Sequence, residues 1–252
     1  MAAVLSPTTA KTRMLVPAGL AILTALSWAY LFLLSARMGD MKSPLAMPMT
    51  SAWTRADVVL MWTMWAVMMA GMMLPSAAPM VRAYATTLSS SSTRLSGSTS
   101  LFVAGYLAVW SAFAAAATLA QWALHDWALV DAMGTSSSRW LGGLLLFGAG
   151  AYQFTGLKDA CLSKCRTPLG FLLTSWRTGR RGALAMGVHH GSLCVGCCWT
   201  LMALLFVLGV MNLWWIAFVA AVVLLEKTVP NDAFSRLLGA ALLVWGAGLI
   251  VG

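Results

Sequence analysis

The sequence predicts an all-α protein, built as a polytopic bundle of transmembrane helices. Hydrophobic residues make up 60% of the 252-residue chain and charged residues only 9%, whereas soluble domains carry about 25% charged residues. The hydrophobic residues also occur in runs of about 20, the length that a helix needs to cross the hydrocarbon core of a bilayer. Since no polar stretch is long enough to form a separate soluble domain, the principal partner of this chain is expected to be the lipid bilayer.

Seven hydrophobic runs are candidate transmembrane helices. The first follows a polar N-terminus and is longer than the hydrophobic core of a signal peptide, which has about 7–15 residues. The second, third and fourth have no charged residue between their end positions. A turn near Asn212 joins the fifth to the short sixth, so these two could form a tight hairpin and six spans is the alternative. In order, the runs are residues 14–36, 57–81, 101–125, 139–157, 183–209, 213–229 and 235–251.

The basic residues predict the orientation of the bundle. If the N-terminus is cytoplasmic, only Arg37, Lys42, Arg55 and Arg139 fall outside, and the rest of the 16 Lys and Arg fall inside. That bias is expected from the positive-inside rule. It also accounts for the net charge of +9 without a nucleic-acid partner. The sequence therefore predicts a multi-pass membrane protein with its N-terminus on the inner side.

The fifth predicted helix contains two histidines and three cysteines within ten residues. At 100° per residue, His190, Cys194 and Cys197 share one face, Cys198 lies at its edge, and His189 points elsewhere. Polar groups are rare within membranes and costly without partners, so the pattern favours a metal site. The alternative is that the cysteines pack as small hydrophobic side chains.

The second predicted helix contains a stripe of methionines. Met61, Met64, Met68 and Met72 follow one another at spacings of three and four residues, which places them on one face. Alone, such a stripe is more typical of core packing than of a metal site. By helical rise, however, the cysteines of the fifth helix fall level with Met64 and Met68. Thioethers would then face thiols if the two helices are neighbours.

Two loops also contain sulfur ligands. The outer loop, residues 37–56, carries Met38, Met41, Met47 and Met49, which suit capture of Cu(I) but equally fit a plain polar loop. The basic inner segment 158–182 could form a short interfacial helix. Its Cys161 and Cys165 would lie one turn apart, and because cytoplasmic thiols stay reduced, they favour a metal pair over a disulfide.

The ligand types favour copper over other ions. Methionine with cysteine selects Cu(I), whereas histidine and cysteine without methionine would suit zinc equally well. Magnesium and calcium require oxygen ligands, and the spans offer few carboxylates. Asp57 and Glu226 lie near helix ends, and Glu226 is expected to form an interfacial pair with the adjacent Lys227. The chain then divides into residues 1–56, with the tail, first helix and outer loop, and a metal-binding membrane domain, 57–252.

Several segments resemble a bacterial domain-of-unknown-function family of predicted metal-binding integral membrane proteins. The resemblance covers roughly residues 55–252, with Gly156 and Asn231 as departures from the expected pattern. It implies a copper-chaperone type of role, since some members are associated with metal delivery to copper enzymes such as tyrosinases. The segments that carry it are Met64–Met80, Tyr152–Arg166, Gly187–Trp199, Met211–Trp215 and Glu226–Pro230.

The leading hypothesis is a membrane protein, not an enzyme, that binds Cu(I) and passes it to a copper enzyme or metallochaperone. A copper or zinc permease is the alternative, although the spans show no clear repeated halves. A membrane thiol oxidoreductase that uses Cys197 and Cys198 ranks lower, because adjacent cysteines rarely form relaxed disulfides. The last alternative is a structural membrane subunit whose methionines and cysteines serve only packing.

Overall fold

The computed structural model describes residues 7–37, 53–89, 95–130 and 135–251. Apart from an isolated bridge between Val130 and Ser136, the regular structure in these ranges is helical. The prediction of an all-α fold is confirmed. The helices are α1 (Pro7–Arg37), α2 (Arg55–Ser89), α3 (Leu95–Asp126), α4 (Arg139–Tyr152), α5 (Gly156–Arg166), α6 (Pro168–Ser175), α7 (Gly179–Ala203), α8 (Leu205–Leu208), α9 (Leu213–Thr228) and α10 (Asp232–Val251).

Short polar side chains begin several of these helices, because a helix N-terminus leaves backbone N–H groups without partners. The Ser138 hydroxyl accepts from the backbone of α4, and the Thr155 hydroxyl accepts from the backbone of α5. The Asn212 side chain accepts from the first N–H groups of α9 at 3.1 and 3.4 Å. The turn predicted near Asn212 is therefore present, and it separates α8 from α9.

Among the described residues, five helical segments are long and apolar enough, by length and composition, to cross a membrane. They are Leu15–Arg37, Arg55–Leu88, Gly97–Asp126, Gly179–Leu208 and Asp232–Val251. The other two predicted spans correspond to α4 and α9, with 14 and 16 residues. At 1.5 Å per residue these helices extend about 21 and 24 Å, less than the roughly 30 Å of a hydrocarbon core. A count of seven spans is not confirmed.

Glycines allow the main helix pairs to pack closely. Helices α3 and α7 run parallel, with Gly187 against the Phe102 carbonyl and, farther along both helices, Gly191 against Val109. A methyl group at Gly187 would overlap the Phe102 backbone. Helices α4 and α10 run antiparallel and approach each other through Gly143, Gly150, Gly239 and Gly246.

The segment from α4 to α6 runs alongside α7 in the opposite direction. The Tyr152 hydroxyl donates to the Gly196 carbonyl. Farther along, the Phe171 ring lies 5.3 Å from the His190 ring, and the Arg177 N–H lies 3.2 Å from the Met186 sulfur. These contacts place α5 and α6 against the side of α7, and a break at residues 153–155 separates them from α4. The interfacial position expected for this segment stays a prediction.

Candidate metal centre

The five cysteines of the chain gather where α5 packs against α7. Cys194, Cys197 and Cys198 are each 1% exposed on α7. Cys161 and Cys165 on α5 are partly buried and pack against the same core. All five are free thiols. Since α5 and α7 come from two distant parts of the sequence, the fold joins two groups of soft ligands that the sequence analysis placed in separate sites.

Gly196 makes room for the sulfur of Cys161. A methyl group built on Gly196 would lie 2.8 Å from Cys161 Sγ, so only glycine leaves this sulfur its present place. One residue later, Cys197 interacts directly with the thiol of Cys165. Both α5 cysteines therefore lie beside one turn of α7, about 26 Å along the helix from Gly179 at 1.5 Å per residue. Cys161 and Cys165 therefore lie with the α7 cysteines and do not form a separate cluster, as the sequence analysis expected them to.

Metal binding at the α5 thiols is expected to release protons. Cys161 and Cys165 are free thiols, and the thiolate is the form of cysteine that ligates a metal.

Cys194 is the polar centre of the cluster. Its sulfur lies 3.0 Å from the Tyr106 hydroxyl and accepts a hydrogen bond from Lys227 Nζ at 2.9 Å. The Cys197 and Cys198 thiols both donate to the Cys194 carbonyl, at 3.1 and 3.0 Å. Within the described ranges, no three His, Cys, Asp or Glu side chains are already arranged as a metal-binding group. The thiols therefore use hydrogen bonds that a metal would have to replace.

The methionine stripe and the cysteine face belong to the same buried core. Met64, Met68 and Met72 are at most 1% exposed and Met61 is 5% exposed. The hydrogen bonds that connect α2 with α7 run through side chains of other helices. Tyr106 of α3 bonds the Met73 carbonyl at 3.3 Å as well as Cys194, and Lys227 of α9 bonds Ser76 Oγ at 3.1 Å as well as Cys194.

Another polar contact involves the outer end of the methionine stripe. Gln121 Nε2 donates to the Met61 sulfur at 3.9 Å, and Gln121 Oε1 accepts from Trp65 Nε1 at 2.7 Å. Met61 lies 15 residues before Ser76, which is about 22 Å along an ideal helix. The sulfur of Met61 therefore accepts its hydrogen bond far from the thiols. Met38, Met41, Met47 and Met49 of the outer loop lie outside the described residues.

The two histidines differ as the helical spacing predicts. His190 is 3% exposed, and its ring lies 5.7 Å from Tyr106 and 5.3 Å from Phe171, between centroids. Its Nδ1 atom is buried without a hydrogen-bond partner. His189 is exposed and contacts Phe171 at 5.2 Å. His190 thus has a ring nitrogen, Nδ1, that is free to bind a metal one turn before Cys194, whereas His189 faces away from the core.

The expected pairing of Glu226 with Lys227 is wrong. Glu226 forms a buried ion pair with Lys158 of α5, at 2.7 and 2.9 Å from its two carboxylate oxygens. Its backbone carbonyl accepts from Arg166 Nε at 2.7 Å. Successive residues of a helix point in different directions, so Lys227 faces Cys194 instead. The sequence analysis missed Lys158, Lys227 and Tyr106 as members of the site, although a lysine inside a predicted span was an available signal.

The fold and the cluster define a class: an all-α protein with membrane-length helices and a buried set of soft ligands. The model of the PpoB2 family, described as copper chaperone, matches residues 62–249. The match covers most of the chain, so the protein belongs to this copper chaperone family. No curated protein and no solved structure matches it. The family confirms the resemblance found in the sequence and supports a copper-related, non-catalytic role, whereas zinc receives no support.

Proposed function

We propose that this protein is an integral inner-membrane protein that binds Cu(I) through its thiol cluster and delivers the ion to a partner copper enzyme. One observation carries the proposal: all five free thiols of a copper chaperone family member meet beside one turn of α7. Met38, Met41, Met47 and Met49 of the outer loop are proposed as a second set of soft ligands that captures or releases the ion.

The donor set fits Cu(I). Thiolates select this soft ion, and Cu(I) accepts two donors in a linear arrangement, so a preformed three-ligand group is not required. Cys194 and Cys197 are the proposed primary ligands, with Cys198, Cys161 and Cys165 as further thiols within the cluster. His190 supplies a neutral donor on the same face. Met61, Met64, Met68 and Met72 would contribute by lining the dry core, whereas the exposed His189 is not among the proposed ligands.

Membrane placement is supported by the distribution of aromatic and basic side chains. Trp127, Trp140 and Trp214 are 69%, 55% and 86% exposed near the ends of α3, α4 and α9. Exposed tryptophans gather at the interface between a bilayer and water. Arg177 and Arg180 are exposed near the start of α7, at the other end. We therefore propose a cytoplasmic N-terminus, with α4 to α6 and α9 completing seven passes.

Copper content tests the core of the proposal. Wild type and a Cys194→Ser/Cys197→Ser variant are purified in detergent, loaded with Cu(I) without oxygen, and equilibrated with a competing Cu(I) chelator. We expect wild type to retain copper and the double variant to lose most of it, because the primary thiolates are absent. His189→Ala is the matched control, since this exposed histidine lies on the same helix. Equal, low copper in wild type and the double variant would refute the proposal.

Delivery is tested with the loaded protein. Copper-free tyrosinase serves as acceptor, and its oxidase activity is followed after mixing with copper-loaded wild type or with the same total copper held by the chelator. Faster activation by the loaded protein supports delivery. Equal rates from both sources would limit the role to copper storage.

A copper permease is the second candidate. The break between α4 and α5 favours it, because interrupted helices line ion sites in transporters. Proteoliposomes that contain the protein and a Cu(I)-sensitive dye distinguish the two roles. Copper entry that depends on Cys194 would support a permease, whereas tight binding without entry supports a chaperone.

A further inference from the structure

The buried core near the thiols contains two lysines and one carboxylate. Lys158 is fully buried, and its partner Glu226 is 1% exposed. Their ion pair uses both carboxylate oxygens of Glu226. Lys227 is 8% exposed, and in the described part of the chain it forms no ion pair with a carboxylate. The charge of Lys227 is therefore not balanced by an acidic side chain there.

No group around Lys227 carries a negative charge while the thiols are protonated. Its ammonium contacts Cys194 Sγ at 2.9 Å and Ser76 Oγ at 3.1 Å. The other ionisable groups that face it are Cys197, Cys198 and Tyr106. A buried charge without an opposite partner is strongly unfavourable. A negative charge at the thiols would therefore stabilise Lys227, and thiolates bound to a metal ion would supply it.

We infer that Lys227 is the counter-ion of an anionic Cu(I)–dithiolate complex and thereby favours a monovalent soft ion at this site. The inference rests on the proposed function. When Cu(I) binds, two S–H protons leave to solvent and two Cu–S bonds form, with no change in oxidation state. The two thiolates and Cu(I) together carry one negative charge, which the ammonium of Lys227 neutralises. A divalent ion on the same two thiolates would form a neutral complex that gains nothing from Lys227.

Replacement of Lys227 tests this role. Lys227→Met, Lys227→Arg and wild type are titrated with Cu(I), Ag(I) and Zn(II) against competing chelators. We expect Lys227→Met to weaken Cu(I) and Ag(I) binding by roughly tenfold to a hundredfold and to leave Zn(II) binding unchanged. Lys227→Arg keeps the charge and should stay within a few-fold of wild type. Arg180→Gln removes an exposed positive charge 14 residues before Cys194 and is the control for long-range electrostatics.

Thermal unfolding separates a counter-ion from a structural lysine. Without metal, Lys227→Met removes an unbalanced buried charge, so it should unfold at the same temperature as wild type or above it. If Lys227→Met does not fold, Lys227→Gln and Lys227→Arg provide the same comparison. A parallel loss of stability and of affinity for all three ions would overturn the inference, as would unchanged Cu(I) affinity.

The two proposals fail differently. If wild type and Cys194→Ser/Cys197→Ser hold equally little copper, the proposed function fails. If wild type holds copper through those thiols and Lys227→Met holds it equally tightly, only the counter-ion role fails.

Discussion

Lys158→Met is expected to destabilise the fold more than any surface substitution. The lysine is fully buried, and its ammonium contacts both oxygens of Glu226 at 2.7 and 2.9 Å. Gln153 Oε1 also accepts a hydrogen bond from the same ammonium. Methionine preserves the length and apolar stem of the side chain but removes the charge. Glu226 would then be a buried carboxylate with no opposite charge beside it.

The size of the effect follows from this geometry. Removal of one partner of a buried ion pair costs about 3–5 kcal/mol, because the remaining charge stays desolvated. At about 2–4 °C per kcal/mol for a chain of this size, the unfolding temperature should fall by roughly 6–20 °C. The double variant Lys158→Met/Glu226→Leu removes both charges and leaves no orphan. It should therefore be more stable than Lys158→Met alone.

The assay uses the buried thiols themselves. A dye that becomes fluorescent when it reacts with thiols reports unfolding, because Cys194, Cys197 and Cys198 are buried in the folded state. Wild type, both single variants and the double variant are heated in one detergent. A double-mutant cycle then gives the coupling between the two charges. If the effects of the two single variants simply add, the buried pair is not the source of the stability and the reasoning is refuted.

Two glycine substitutions test the packing of α7. Gly187→Ala places a methyl group into the Phe102 backbone, so α3 and α7 must separate. We expect its unfolding temperature to fall well below that of Gly148→Ala, the control in which the added methyl group meets open space. Gly196→Ala displaces only the Cys161 sulfur, so it should reduce Cu(I) affinity or stoichiometry with little loss of stability. The first expectation is contradicted if Gly187→Ala unfolds at the same temperature as Gly148→Ala. The second is contradicted if Gly196→Ala binds copper as wild type does.

Local helical geometry made part of the site predictable. The spacing of His190, Cys194 and Cys197 depends only on the rotation per residue, and all three are buried as expected, with His189 exposed. The helical form of the Cys161 and Cys165 segment was also predictable, because Thr155 precedes it as a helix-capping residue. These features depend on residues within a few turns of one another.

The position of α5 and its two cysteines depends on tertiary packing, which the sequence did not reveal. The basic composition of residues 158–182 indicated a cytoplasmic loop, but Lys158 is neutralised by Glu226 from a helix 68 residues away. With that charge paired, α5 can lie against α7 and bring Cys161 and Cys165 to Cys197. Nothing in the local sequence identifies this partner.

The end of α9 connects the two groups of cysteines. Glu226 holds α5 through Lys158 and through its own carbonyl to Arg166, whereas Lys227 contacts α7 at Cys194. The first connection is a buried ion pair with both carboxylate oxygens engaged, and the second is a single ammonium–thiol contact. Because the second connection has fewer bonds to break, the proposed copper ion would replace it and bind the Cys194 sulfur. The ion pair would meanwhile keep Cys161 and Cys165 in place beside the metal.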